Sequence, residues 1–312
     1  MKFLIDNFWT LTSTGLTQGA IYALIALGYT LVYGVLQLIN FAHSEVFMVG
    51  SFFAMWTLNA LASHEGHAGA LLIIGLLVLA GIAAMIGSGI TALFVEFIAY
   101  RPLRRRNAPR LVFLISAIGA SIAISEAFGI FISRNILPVP QLVQPKVVLT
   151  LFGSQIYNMQ VIIVAASIVM MVGLDQFIRR TRLGRGVRAV AQDQDTAALM
   201  GVNKDRVIAL TFLLGGLMAG GAALLYTQQF GLTRFNVGFL LGIKAFTAAV
   251  LGGIGNLRGA LLGGLVLGLA ENYGSALVGS QWRDVVAFVL LIVILMFRPT
   301  GILGESLGKA RA

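Results

Sequence analysis

Nine apolar stretches, at roughly 12–35, 42–61, 69–97, 111–133, 159–178, 207–226, 237–255, 259–278 and 284–297, dominate the chain. A bilayer crossing takes about 20 apolar residues, and several of these runs reach that length. In hydrocarbon every backbone amide and carbonyl must find its partner within the protein, which leaves helices or closed barrels. Runs this long and continuous lack the alternation of barrel strands, so they predict helices. The expected fold is all-α: a polytopic integral-membrane helical bundle with eight or nine transmembrane helices. Composition agrees, since 58% of the 312 residues are hydrophobic and only 11% are charged.

The net charge of +10 would suit a nucleic-acid binder if the cations shared one folded face. They fall instead in short segments between apolar runs, so no nucleic acid is expected as a partner, and the bilayer is. Arg101, Arg104, Arg105, Arg106 and Arg110 mark one loop, and Arg179, Arg180, Arg182, Arg185 and Arg188 open another. The positive-inside rule puts both on the cytoplasmic face. The 134–158 segment then lies outside, Asn256-Leu257-Arg258 makes an inner turn, and the tail from Arg298 is cytoplasmic. About 16 of the 22 basic residues are inside on this layout. If 42–61 crosses fully, there are nine spans and the amino terminus is outside. If that stretch is broken or re-entrant, the amino terminus is inside. Asn40, His43 and Glu45 are unusually polar for the start of a span, so they are candidates for a pathway or re-entrant segment. No cleavable leader and no polar linker is evident, and residues 1–312 read as a single transmembrane domain.

The 179–206 segment is a polar island between two spans. Asp195 and Thr196 can cap a short helix over Ala197–Met200, and Gly201 can end it. A brief, partly apolar helix on the cytoplasmic face suits docking to a soluble partner. Catalytic signatures are poor. His64-Glu65-Gly66-His67 has its histidines three apart, without further ligands, and predicts no metal. Gly184-Arg185-Gly186-Val187-Arg188-Ala189 matches a dinucleotide fingerprint only formally, because it follows basic residues and not a strand. Gly308-Lys309-Ala310 is a near miss for a phosphate loop. No cofactor and no enzymatic activity are expected, and any ATP site belongs to another chain.

Ionisable residues within spans are function candidates by default. Glu96 and Asp175 lie close in sequence to Arg101 and Arg179, while Glu126 has no obvious partner. Lys244 precedes the inner turn by about 12 residues and Glu271 follows it by about 14. At about 1.5 Å per residue they reach nearly equal depth in antiparallel helices. An intramembrane ion pair is therefore available, either as a static register lock or as part of a transport pathway. Gly216 and Gly220, then Gly255, Gly259 and Gly263, with Gly264 and Gly268, put small residues four apart. Such faces allow close helix approach in lipid, as tight internal packing, as a moving seam or as a contact with a second membrane subunit.

The run Gly19-Ala20-Ile21-Tyr22-Ala23-Leu24-Ile25-Ala26-Leu27-Gly28-Tyr29-Thr30-Leu31-Val32-Tyr33-Gly34, followed by Leu38-Ile39-Asn40-Phe41-Ala42-His43, resembles the H-type permease of branched-chain amino acid ABC importers. Arg188-Ala189-Val190-Ala191-Gln192-Asp193 with Ala198-Leu199-Met200-Gly201-Val202, then Thr247 to Asn256, then Arg298 to Gly304, fit the same family in order. The resemblance implies a subunit that forms the membrane pore with a sister M-type permease. It further implies two cytoplasmic ATP-binding subunits, an extracytoplasmic substrate-binding protein and the bacterial cytoplasmic (inner) membrane. It makes Asp193, Asp195, Thr196, Ala197, Ala198, Leu199, Met200, Gly201 and Val202 the ATPase-coupling loop. The chain departs from the E-A-A-x3-G loop of other ABC importers, since only two residues separate Ala198 from Gly201. It also carries Ser44 where relatives commonly have glycine. Urea or short amides are the alternative cargo, and an ion-gradient-driven secondary transporter using Glu126 and Glu271 is the rival mechanism.

Overall fold

The computed structural model describes residues 7–62, 70–151, 154–298 and 300–304. The apolar stretches are helices. The helices among the described residues are α1 (Phe8–Leu36), α2 (His43–Ala62), α3 (Ala70–Val95), α4 (Arg101–Arg105), α5 (Arg110–Phe131), α6 (Asn158–Arg180), α7 (Arg182–Gln192), α8 (Gln194–Leu199), α9 (Lys204–Phe230), α10 (Val237–Gly252), α11 (Leu257–Val278) and α12 (Arg283–Phe297). Among the described residues seven helical runs are long and apolar enough to cross a membrane, α10 is a shorter apolar helix, and α2 is a single unbroken helix of 20 residues. The helical membrane bundle expected from the apolar runs is what forms. The His64–His67 run and Gly308-Lys309-Ala310 lie outside the described residues.

Between α3 and α4 the helix widens into a π-turn over Glu96–Tyr100, and both of these end residues are buried. One extra residue per turn re-aims the side chains that follow, a common device at functional positions. Short strands punctuate the connections. β1 (Leu137–Pro138) pairs with β4 (Leu232–Thr233), and β2 (Val147–Leu151) pairs with β3 (Ser154–Tyr157), both antiparallel. Nothing in the apolar periodicity announces these strands, because two to five residues are too few to establish a period of two.

The chain divides into two compact units. One comprises residues 1–30, 144–173 and 244–312. Its helices α1 and α11 meet backbone to backbone. A Cβ on Gly19 would lie 2.6 Å from the Gly264 carbonyl oxygen, and one on Gly264 would lie 2.6 Å from the Cα of Ala23. Gly259 and Gly263 face α10 near Gly252 and Ala248. Gly255 is a correction to the four-residue spacing. It sits in the turn before α11 with φ +98°, so it shapes the chain reversal and contributes no helix face. The closing segment pins that same turn: Ile302 N–H donates to Leu251 O (2.8 Å), and Leu303 N–H to Gly252 O (3.0 Å).

The second unit comprises residues 31–143 and 174–243. Here α2 is enclosed by α3 and α9. Small residues again set the approach: a Cβ on Gly216 would lie 2.8 Å from Ala92 Cβ and from Ser88 O, and one on Gly220 would lie 2.5 Å from Ala84 O. On the far side of α3, Ile74, Val78, Ile82, Ile86, Ile90 and Phe94 recur every fourth residue and are all exposed. A stripe of apolar side chains at helical spacing, turned outward, is the surface a bilayer solvates and water does not.

Candidate functional site

The polar island folds into two short helices. Thr181 caps α7, its hydroxyl accepting from Gly184 N–H at 2.9 Å. Gly184, Val187 and Val190 are buried, while Arg182, Arg185 and Arg188 are exposed. That amphipathic period is hidden in the sequence by the density of arginine. After one extended residue, α8 follows. Its N-cap is Asp193, where Asp195-Thr196 was expected: one Asp193 carboxylate oxygen accepts from the amides of Asp195 (2.9 Å) and Thr196 (3.0 Å), the other from the Thr196 hydroxyl (2.9 Å). The helix therefore begins at Gln194, three residues earlier than the apolar residues indicate, and Met200 is its C-cap. These bonds, the Thr196 amide first, hold the Asp193 carboxyl below the usual aspartate range. Gly201, at φ +85°, lets the chain leave the helix, and Val202 N–H then donates back to Ala197 O at 3.0 Å.

The exposed end of α8 is apolar, one turn beyond the exposed Asp195. Ala197 is buried, Ala198 is exposed, and Leu199 and Met200 are 87% and 80% exposed. At the base, Gln194 Nε2 donates to the Val35 carbonyl (3.0 Å), tying α8 to the end of α1. The next helix is anchored by Asp205, which takes Arg104 Nη2 at 2.6 Å; the same nitrogen reaches Glu96 at 3.0 Å. Arg101 also pairs with Glu96 (3.0 Å), and Arg179 with Asp175 (2.8 Å), each beside the cation expected for it.

In the same unit Asn40, His43 and Glu45 are all buried, at 2%, 1% and 1% exposure. The turn after α1 requires Gln37 at φ +53°, and α2 then starts at His43. Asn40 Oδ1 and the Ile39 carbonyl both lie 3.2 Å from the Tyr100 hydroxyl. Glu45 Oε1 accepts from Ser121 (3.2 Å) and Ser44 (3.3 Å), and its Oε2 lies over Gly238 in the first turn of α10. Ser44 thus supplies a hydroxyl that glycine could not. Glu126, for which sequence named no partner, is paired with Arg134 at 2.6 Å on a half-exposed surface. That setting gives it none of the isolation a proton-carrying carboxyl needs.

In the other unit, Lys244 Nζ donates to Glu271 Oε1, and the two sit at matching depth. They belong to a larger cluster. Lys244 also reaches Asp284 (2.6 Å), the Tyr22 hydroxyl donates to Glu271 Oε2 (2.7 Å), Arg283 Nε lies 3.4 Å from Glu271 Oε1, and Gln18 donates to Tyr22 (2.8 Å) and accepts from Arg283. Two cations and two carboxylates from three helices, with a phenol and an amide from α1, make a formally neutral network that is buried at Lys244, Glu271 and Tyr22 and part-exposed at Arg283 and Asp284. Of its added members, only Arg283-Asp284 left a trace in sequence, as a charged pair at the mouth of an apolar run. Among the described residues no group of three histidine or acidic side chains could hold a metal ion.

Residues 11–295 match the family model described as branched-chain amino acid transport system / permease component. The chain is 47% identical over 297 residues to the high-affinity branched-chain amino acid transport system permease protein BraD of Pseudomonas aeruginosa, covering 93% of this chain and 94% of that protein. It is 44% identical to the corresponding LivH protein of Escherichia coli K12, again over 93% and 94% of the two chains. A probable LivH of Methanocaldococcus jannaschii is 25% identical, over 92% and 90%.

Proposed function

Since the chain belongs to the family of branched-chain amino acid transport system permease components, we propose that it is the H-type subunit of an ATP-driven importer of leucine, isoleucine and valine. It is a transport subunit and not an enzyme, a multi-pass protein of the cytoplasmic membrane. In the proposed assembly a sister M-type permease completes the translocation path. Two ATP-binding subunits dock on the cytoplasmic side, and an extracytoplasmic binding protein delivers cargo.

The observation that carries the ATPase contact is α8. It is capped, only six residues long, and presents Ala198, Leu199 and Met200 outward in a segment otherwise rich in arginine. Exposed leucine and methionine on a polar surface are what a protein partner covers. A rigid element there can transmit partner closure to α6 and α9 on either side, as a rigid-body motion. The ATPase must contact two states unequally for this to bias access. Within the second unit, the burial of Asn40, His43 and Glu45 supports their assignment as polar groups of the pathway.

Reconstitution of the four-component complex in proteoliposomes tests the reading. Uptake of labelled leucine should require ATP and the loaded binding protein, and should persist when ion gradients are collapsed. Competition by isoleucine and valine but not by urea or acetamide fixes the cargo class. Gradient-driven uptake without ATP would overturn it in favour of a secondary transporter.

A further inference from the structure

A cavity of about 320 Å³ opens beside the arginine-rich end of the second unit. Its walls combine two kinds of chemistry. Leu38 and Phe113 are among its apolar lining, while Arg104, Asn107 and Gln194 contribute polar groups. Arg104 is only 13% exposed, and its charge is incompletely used: Nη2 serves both Glu96 and Asp205, whereas Nη1 is buried with no hydrogen-bond partner. Arg104 lines the cavity, and an unsatisfied N–H on that guanidinium is a standing demand for an acceptor.

The surroundings specify which acceptor. Among the described residues Arg101, Arg104 and Arg105 pair with Glu96 and Asp205, and Arg106 and Arg110 add two further cations within the same segment, so five cations meet two carboxylates. Three positive charges remain in excess, which selects an anion. Directly after Arg110, Leu111 and Ile115 are 65% and 61% exposed, so apolar surface of the kind acyl chains solvate begins where the charge ends. On the orientation set by the arginines, this is the cytoplasmic leaflet, whose anionic lipids gather at basic segments. A soluble anion would use the cations but not the aliphatic surface that follows them along α5.

We propose that this cavity is a headgroup site for an anionic phospholipid, with the phosphodiester against Arg104 and Asn107 and the acyl chains running along Leu111 and Ile115. Gln194 gives the site its consequence. It is the first residue of α8 and bonds the end of α1, so a bound headgroup props the base of the docking helix. That consequence rests on the proposed function, whereas the lipid site itself does not.

The test counts lipid directly. The purified full-length protein is exchanged into phosphatidylcholine nanodiscs containing phosphatidylglycerol, extracted, and weighed by native mass spectrometry. Ala108→Phe fills the cavity and leaves every charge in place. Arg104→Gln removes the guanidinium, and Arg185→Gln removes an equal charge from an exposed position on α7. Retained phosphatidylglycerol should fall about tenfold in Arg104→Gln, the loss of one charge-assisted contact, at least as far in Ala108→Phe, where the headgroup is excluded, and stay at the wild-type level in the third. If Arg104→Gln does not fold, Ala108→Phe with unchanged thermal unfolding still decides. Equal retention in wild type and Ala108→Phe overturns the proposal. So does displacement of the lipid by millimolar glycerol phosphate, which would make the cavity a soluble-anion site. Because no transport is measured, these outcomes stand apart from the identity of the cargo.

Discussion

At the scale of single residues, the most consequential group is Glu271, a carboxylate with no solvent exposure in a lipid-embedded helix. Its charge is tolerable because Lys244, Arg283 and the Tyr22 hydroxyl surround it. This arrangement argues for a lock on helix register, since each carboxylate oxygen already accepts from a partner on another helix. Removing one partner of a buried pair strands the other, so Glu271→Ala should destabilise by about 3–5 kcal/mol. Tyr22→Phe removes one hydrogen bond to a charged group and should cost about 1.5–3 kcal/mol. Reversible unfolding of the purified protein in mixed micelles measures both. If Glu271→Ala unfolds with the wild type, the lock is wrong and the pair belongs to the pathway. Counting residues from the Asn256 turn made the Lys244–Glu271 pairing legible, because helix rise is fixed. Asp284, Arg283 and Tyr22 were not legible, because which helix lies beside which is not a property of spacing.

At the scale of elements, the apolar runs were readable because hydropathy over about 20 residues is a one-dimensional signal. The caps were read less well. Asp195-Thr196 and Asp193 are all cap-competent, and only the folded backbone shows that Asp193 has the extended conformation an N-cap requires, at φ −157°. Its folded-state pKa is depressed, so the cap is complete above the ordinary aspartate value and is lost as pH falls through the lowered one. Near neutrality it is fully charged. Asp193→Ala should therefore speed amide exchange over residues 194–200 severalfold at pH 7, with α9 unaffected. Protection unchanged in that variant would mean that Ala197 packing alone holds α8. The glycine seams allow a paired comparison. A Cβ on Gly264 would strike Ala23, while one on Gly119 meets nothing within 4 Å. Gly264→Ala should cost about 1–3 kcal/mol through overpacking. Gly119→Ala should be neutral or stabilising by up to about 1 kcal/mol through helix propensity. Equal effects in thermal unfolding would show that the α1–α11 approach is not tight.

At the scale of the whole molecule, the question is how a chain without a phosphate-loop motif does ATP-driven work. The proposed answer confines the link to α8. Ala198 is the sharpest probe of it, because it is exposed, carries no internal hydrogen bond in its side chain and sits between the buried Ala197 and the exposed Leu199. Replacing it with arginine keeps a good helix former at the position, so insertion and thermal stability should be those of the wild type. In the complex, however, a long cation would be forced into a contact beside the exposed Leu199 and Met200, and its bulk and charge there disrupt docking. The expected result is a complex whose ATP hydrolysis no longer responds to loaded binding protein and whose uptake falls at least about tenfold, the effect of losing roughly 1.4 kcal/mol of differential contact. Ala198→Ser, small and polar, should transport nearly normally and so separates a steric block from loss of a methyl group. Normal uptake by Ala198→Arg would remove α8 from the drive train. The arginine-bearing α7, with its exposed Leu183, would then be the next surface to carry the ATPase contact.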